Sequence, residues 1–176
     1  MTKSIDAAII VGSDSDLDII EQTCKILEYF DLTYSLNIAS AHRTAEHLKE
    51  CIEKSQKAGA KVFIAGAGMS AALPGVIAAQ TVLPVIGVPI KGGSLASLDS
   101  LFSIVQMPAG APVACVAVGK AGAVNAAVLA AQIIAVSDKS LREKLQKYKD
   151  DMAGEIVKKD LKLQKLGIRK YLQCKK

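Results

Sequence analysis

Ala7-Ala8-Ile9-Ile10-Val11 runs straight into Gly12-Ser13-Asp14-Ser15-Asp16, and that junction decides the fold. Five apolar residues in a row, without polar alternation, read as a strand buried on both faces, the habit of parallel sheets. The Gly-Ser-Asp cluster closes the strand and opens a helix whose apolar side is Leu17, Ile20, Cys24, Ile26 and Leu27. Strand, polar turn and amphipathic helix form the opening half of a βαβ unit.

The same alternation recurs along the chain. Tyr34–Ile38 reads as a second strand, followed by a helix from Thr44 to Ala58 carrying Leu48, Cys51 and Ile52 at helical spacing. Lys61–Ala65 is a third strand closed by Gly66-Ala67-Gly68, with a short helix from Ala71 to Gln80 behind it. Pro84–Val88 and Val113–Val118 read as strands four and five, separated by a helix from Leu95 to Val105. An Ala-rich helix occupies Ala121 to Val136. Alternating strands and helices predict an α/β domain over residues 1–137, its parallel sheet covered on both sides. From Asp138 a long helical pattern places Leu141, Leu145, Tyr148, Met152, Ile156 and Val157 on one side. An apolar stripe with no room left on a small domain predicts that the extension, residues 138–176, packs on neighbouring subunits.

Composition narrows the function. Of 22 Lys and Arg, thirteen lie from Asp138 onward, against six of the 17 Asp and Glu, so the net charge of +5 belongs to the tail and the body is near neutral. These basic residues alternate with acidic ones at helical spacing, a solvated face rather than a nucleic-acid patch. Apolar runs stop short of the ~20 residues a membrane span needs, and the first residues lack the pattern of a secretory leader, so a cytoplasmic location is expected. The four cysteines, Cys24, Cys51, Cys115 and Cys174, are far apart and without metal-ligand spacing, and read as reduced packing residues. No metal or cofactor is expected.

Three loops carry chemistry. Ser40-Ala41-His42-Arg43 follows the second strand and sets a proton-transferring imidazole beside an anion-gripping guanidinium. Without context, His42 is equally readable as a cap or a satisfied buried histidine. His47, five residues on, lies off the His42 face and reads as an exposed helix residue. Ser13 to Asp16 suits an anion or a ribose at a helix start, but also plain helix capping. Gly66 to Gly75 lets backbone approach a ligand, or lets a helix approach the sheet. Open α/β sheets bind ligands at the carboxyl ends of their strands, where all three loops fall.

In order, Gly12-Ser13-Asp14-Ser15-Asp16, Ser40-Ala41-His42-Arg43-Thr44, Ala65-Gly66-Ala67-Gly68 with Leu73-Pro74-Gly75, and Pro84-Val85-Ile86-Gly87-Val88-Pro89 resemble the PurE family of purine biosynthesis. Ser103-Ile104-Val105-Gln106-Met107-Pro108 and Gly119-Lys120-Ala121-Gly122-Ala123-Val124-Asn125 extend the resemblance, which covers residues 5 to 137. It implies a flavodoxin-like three-layer sandwich, a homo-octamer, and N5-carboxyaminoimidazole ribonucleotide mutase activity without metal or organic cofactor. It further implies that His42 shuttles the proton, that Ser13, Asp16 and Ser40 bind the nucleotide and that Arg43 binds its phosphate. Ala67, Gly68, Met69 and Ser70 would hold the migrating carboxylate. Class I members, the mutases, usually carry a His just before Leu-Pro-Gly, where this chain has Ala72. Met69-Ser70-Ala71-Ala72 and Thr44-Ala45-Glu46-His47 have something of class II, which carboxylates aminoimidazole ribonucleotide directly with CO2. Class II members typically have Lys after the histidine, however, and this chain has Arg43. Motif count favours the mutase. Two other readings differ in kind: a flavodoxin-like nucleotide-binding module, against which the 4% aromatic content argues if the ligand is a flavin, and a regulatory subunit whose basic tail recruits a partner.

Overall fold

A computed structural model of the chain describes residues 4–93 and 95–174. Its sheet is built from β1 (Ala7–Val11), β2 (Tyr34–Ile38), β3 (Val62–Ala67), β4 (Val85–Pro89) and β5 (Ala114–Cys115). The helices are α1 (Leu17–Tyr29), α2 (Ala45–Lys57), α3 (Leu73–Ala78), α4 (Leu98–Val105), α5 (Lys120–Ala135) and α6 (Lys139–Gln173). The strands pair in the order β2-β1-β3-β4-β5, all in parallel, the flavodoxin-like order.

Period-two alternation divides β1 between two cores. Ala7, Ile9 and Val11 face a cluster built with Ile20, Leu27 and Phe30 of the α1 region and the alanines of α5. Ala8 and Ile10 face Leu48, Cys51 and Ile52 of α2, with Leu73 and Ile77 of α3 and Ile104 of α4. Helices thus cover both faces, as the unbroken apolar strands require. Each fully buried Ile, Leu or Phe contributes about 1.5–3 kcal/mol relative to exposure. Small residues let α5 approach closely: a Cβ on Gly122 would sit 1.6 Å from the Ala117 carbonyl oxygen, so no other residue fits there. The Thr23 hydroxyl, fully buried, donates to the Ala123 carbonyl at 2.9 Å and joins α1 to α5.

Three expected elements are clearly shorter in the structure, the helix expected from Ala71 to Gln80 spanning only Leu73–Ala78, and the tail helix is broken. The fifth strand pairs only through Ala114 and Cys115, although Val116 and Gly119 each donate one further backbone bond to β4. An apolar run shows what can be buried, but pairing length depends on the neighbour. The helix expected from Leu95 starts at Leu98, because Ala96 and Ser97 hold φ of 50° and 77°. The helix of the tail is interrupted at Gly167, where φ is 70°.

The first turns of α6 pack on the chain's own body. Leu141 and Leu145 join the first core, Tyr148 meets Phe30 edge-on and Tyr29 at a tilt, and Lys144 pairs with Asp31 at 2.6 Å. Beyond them Met152, Ile156, Val157, Leu161 and Ile168 are exposed. Among the described residues, no helix is long and apolar enough to cross a membrane.

Candidate functional site

The strand order creates a switch point. The chain leaves β1 for β2 on one side and then returns to place β3 on the other, so the loops after β1 and β3 part from one another. A cleft of about 460 Å³ opens there, walled by the loops that follow β1, β2, β3 and β4.

The β1 loop is a 3-10 turn, Asp14–Asp16, capped by Ser13, whose hydroxyl oxygen accepts from the Ser15 amide at 3.3 Å. The same hydroxyl donates to the Asp14 carboxylate at 3.0 Å and accepts from the Ser15 hydroxyl at 3.0 Å. Asp16 ends the turn and is buried, at 9% exposure. Burial pushes its carboxyl above the usual carboxylate range; a backbone hydrogen bond from Ser13 opposes the push, and the Asp14 charge adds to it. A carboxylate held this way, with few partners, is well placed to accept bonds from ligand hydroxyls.

After β2, Ser40 opens a tight turn. Its amide donates to the Thr44 hydroxyl at 2.8 Å, and its own hydroxyl accepts from the Arg43 amide at 3.3 Å. The Arg43 guanidinium bends back, Nε donating to Ser40 Oγ at 3.3 Å and Nη2 to the Gly12 carbonyl oxygen at 3.1 Å. His42 is exposed to solvent yet lines the cleft beside Arg43, and its ring makes no hydrogen bond among the described residues. An imidazole without a protein partner is available to a ligand.

Opposite, the chain leaves β3 through Ala67, Gly68, Met69 and Ser70. Met69 adopts φ of 54°, and the Ala71 amide closes the turn on the Gly68 carbonyl at 3.1 Å. A left-handed methionine is held only where its surroundings over-determine it; here the turn presents backbone to the cleft. Ala72 lines the same wall.

Every residue singled out in the sequence for this site lines the cleft: Ser13, Asp16, Ser40, His42, Arg43, Ala67, Gly68, Met69 and Ser70. Lys91, just past β4, lines it too and was not among them. Its signal was a lone cation at the carboxyl end of a strand. His47 lies outside the cleft, with Nε2 3.6 Å from Cys51 Sγ. Cys24 and Cys51 are buried, and burial raises the thiol pKa values of Cys24, Cys51 and Cys115. No cluster of His, Cys, Asp or Glu suited to a metal ion occurs among the described residues. A second hollow of about 360 Å³ lies between α5 and α6, lined by Arg142 and Lys149, but brings together no acid–base set.

Fold and site together define a flavodoxin-like α/β protein with a cleft at its switch point, lined by His42, Arg43 and Lys91. The chain belongs to the AIR carboxylase family, whose sequence profile matches residues 6–155. It is 51% identical over 165 residues to the N5-carboxyaminoimidazole ribonucleotide mutase of Pyrococcus abyssi, covering 94% of each chain. It is 47% identical over 167 residues to the enzyme of that name from Thermotoga maritima, covering 95% of this chain and 96% of the other. The crystal structure of Treponema denticola PurE superposes with a TM-score of 0.82 at 32% identity, covering 89% of this chain and 97% of that one.

Proposed function

We propose that this chain is an N5-carboxyaminoimidazole ribonucleotide mutase of purine biosynthesis, acting in the cytoplasm as a homo-octamer. One observation carries the reading: an unpartnered imidazole, His42, stands beside a guanidinium in a cleft at the carboxyl ends of the strands. Identity of about half the residues to proteins of that name supports it. The row of exposed apolar residues on α6 supports assembly through residues 138–176, leaving residues 1–137 as the catalytic domain.

The chemistry follows from the residues. Arg43, with Ser13 and Ser40, receives the phosphate, and Asp16 accepts bonds from the ribose. Protonated His42 gives its proton to the exocyclic nitrogen that bears the carboxylate. The carbon–nitrogen bond then breaks, its electrons return to that nitrogen, and CO2 is released into the cleft. The electron-rich ring carbon C4 attacks the held CO2, whose high effective concentration replaces an encounter in solution. The new adduct loses its C4 proton to the now neutral His42, restoring the aromatic ring. One proton enters and one leaves, so atoms and electrons balance without a redox partner. A single group serving as acid and then base needs a pKa near the working pH, a requirement histidine meets by nature. Backbone amides of the Ala67–Ser70 turn hold the oxygens of the migrating group.

Ala72 favours a second reading, direct carboxylation of aminoimidazole ribonucleotide, because the small residue stands where mutases usually carry histidine. Purified protein at low bicarbonate decides. The mutase reading expects the N-carboxylated substrate to be converted much faster than the bare ribonucleotide supplied with bicarbonate. Faster use of the bare ribonucleotide would establish the carboxylase, and no conversion of either would refute both.

A further inference from the structure

We propose that Lys91 binds the carboxylate of the substrate, as a second cation separate from Arg43; this rests on the mutase reading above. Such a substrate carries two anionic groups, a phosphate on the ribose side and a carboxylate on the base side. Arg43 is committed to the β1–β2 side of the cleft by its bonds to Gly12 and Ser40. Lys91 stands on the other side, at the end of β4. In the order β2-β1-β3-β4 the two ends are three strand spacings apart, about 14 Å from backbone to backbone. One cation reaches one end of a nucleotide; two on opposite walls reach both.

The backbone around Lys91 lies against the turn assigned to the carboxylate. Ala67 pairs with Pro89 in the ladder, and the Ile90 amide donates to the Ala67 carbonyl at 2.9 Å. A Cβ on Gly68 would meet the Ile90 carbonyl oxygen at 3.2 Å and the Gly92 nitrogen at 3.8 Å. Lys91 therefore springs from beside Gly68 and Met69. Its ammonium forms no ion pair and no hydrogen bond among the described residues, although six other pairs occur there. A cation that lines a cleft without a protein partner is available to an anionic ligand. Lysine also suits a group in motion. Its ammonium is a rotatable point charge on a flexible stem, able to follow oxygens as they pass from nitrogen to C4, whereas a planar guanidinium grips one geometry.

The test compares two ribonucleotides in bicarbonate-free buffer. Aminoimidazole ribonucleotide carries only the phosphate; its 4-carboxy product carries both anions. Lys91→Gln should weaken binding of the carboxylated compound roughly ten- to hundredfold, the range of a lost charge-assisted hydrogen bond, and leave the bare compound within about threefold. Arg43→Ala should weaken both. Lys91→Arg should recover part of the loss, and Lys91→Met, which keeps the apolar stem without the charge, should not, whereas a merely steric role would let Met recover it as well. Equal weakening of both compounds by Lys91→Gln, or of neither, would overturn the assignment while the wild type remains an active mutase. Wild-type protein that binds and converts neither would overturn the mutase reading and this one with it.

Discussion

The Arg43 guanidinium donates to the carbonyl oxygen of Gly12 at 3.1 Å, latching the loop after β2 to the loop after β1. Gly12 begins the serine-rich turn, so one side chain sets the spacing of two walls of the cleft. The same guanidinium is the cation assigned to the phosphate. Its two duties, positioning and binding, predict that even a conservative change will be felt.

Arg43→Lys keeps the charge but cannot reproduce the fork that reaches Ser40 and Gly12 together. Steady-state kinetics should show KM raised roughly tenfold or more, with kcat changed much less. An unaltered KM would place the phosphate elsewhere.

His42→Asn removes the proton carrier and breaks no side-chain hydrogen bond among the described residues. Turnover should fall by roughly 10²–10⁴, the usual worth of a positioned acid–base group. The melting temperature and the affinity for the 4-carboxy product should stay near wild type. Retention of a tenth of the turnover would remove His42 from the mechanism.

Asp16 trades stability for its site. Burial raises its carboxyl above the ordinary value, so the folded chain holds that proton more tightly than the unfolded chain does. The resulting stabilisation is complete below the pKa of the unfolded carboxyl and is lost as pH rises through the elevated folded value. Ionised Asp16 is therefore a burden at neutral pH. Thermal melts of Asp16→Asn should show a gain at neutral pH that disappears in acid, alongside weaker nucleotide binding. A lower melting temperature at neutral pH would contradict this.

Asp6 works in the opposite sense. It accepts from the Thr33 amide at 3.0 Å, the Thr33 hydroxyl at 2.8 Å and Lys61 Nζ at 2.9 Å, joining the starts of β1, β2 and β3. Partial burial pushes its carboxyl up, but the bonds from Lys61 and Thr33 together bring it below the ordinary value. Its stabilisation is present above the unfolded carboxyl's pKa and is lost as pH falls through the lowered one. Asp6→Ala should cost about 1–3 kcal/mol at neutral pH, read by denaturant unfolding. The gap to wild type should narrow in strong acid; a constant gap would mean that the charge is irrelevant.

Much of this could be read before any coordinates, for a physical reason. Strands buried on both faces announce themselves as unbroken apolar runs, and the polar loops closing β1, β2 and β3 stood out against them. Ser13, Asp16, His42 and Arg43 were legible because polar chemistry at a strand's carboxyl end has a known destination in this architecture. Lys91 was not, since one lysine after a strand looks like any solvated residue until the sheet order sets β4 beside β3. The latch from Arg43 to Gly12 joins residues 31 positions apart and no local pattern encodes it. The end of β5 and the start of α4 are not legible in the sequence, because pairing partners and left-handed residues, not hydrophobicity, set them.

Because β5 pairs through only two residues, the sheet stops abruptly on that flank. A foreign chain seeking to add itself there finds scarcely any ladder to extend, which guards this border against fibrillar growth. Any such recruitment would have to start from the opposite margin, at β2, whose Leu36 and Ile38 are half-open to water.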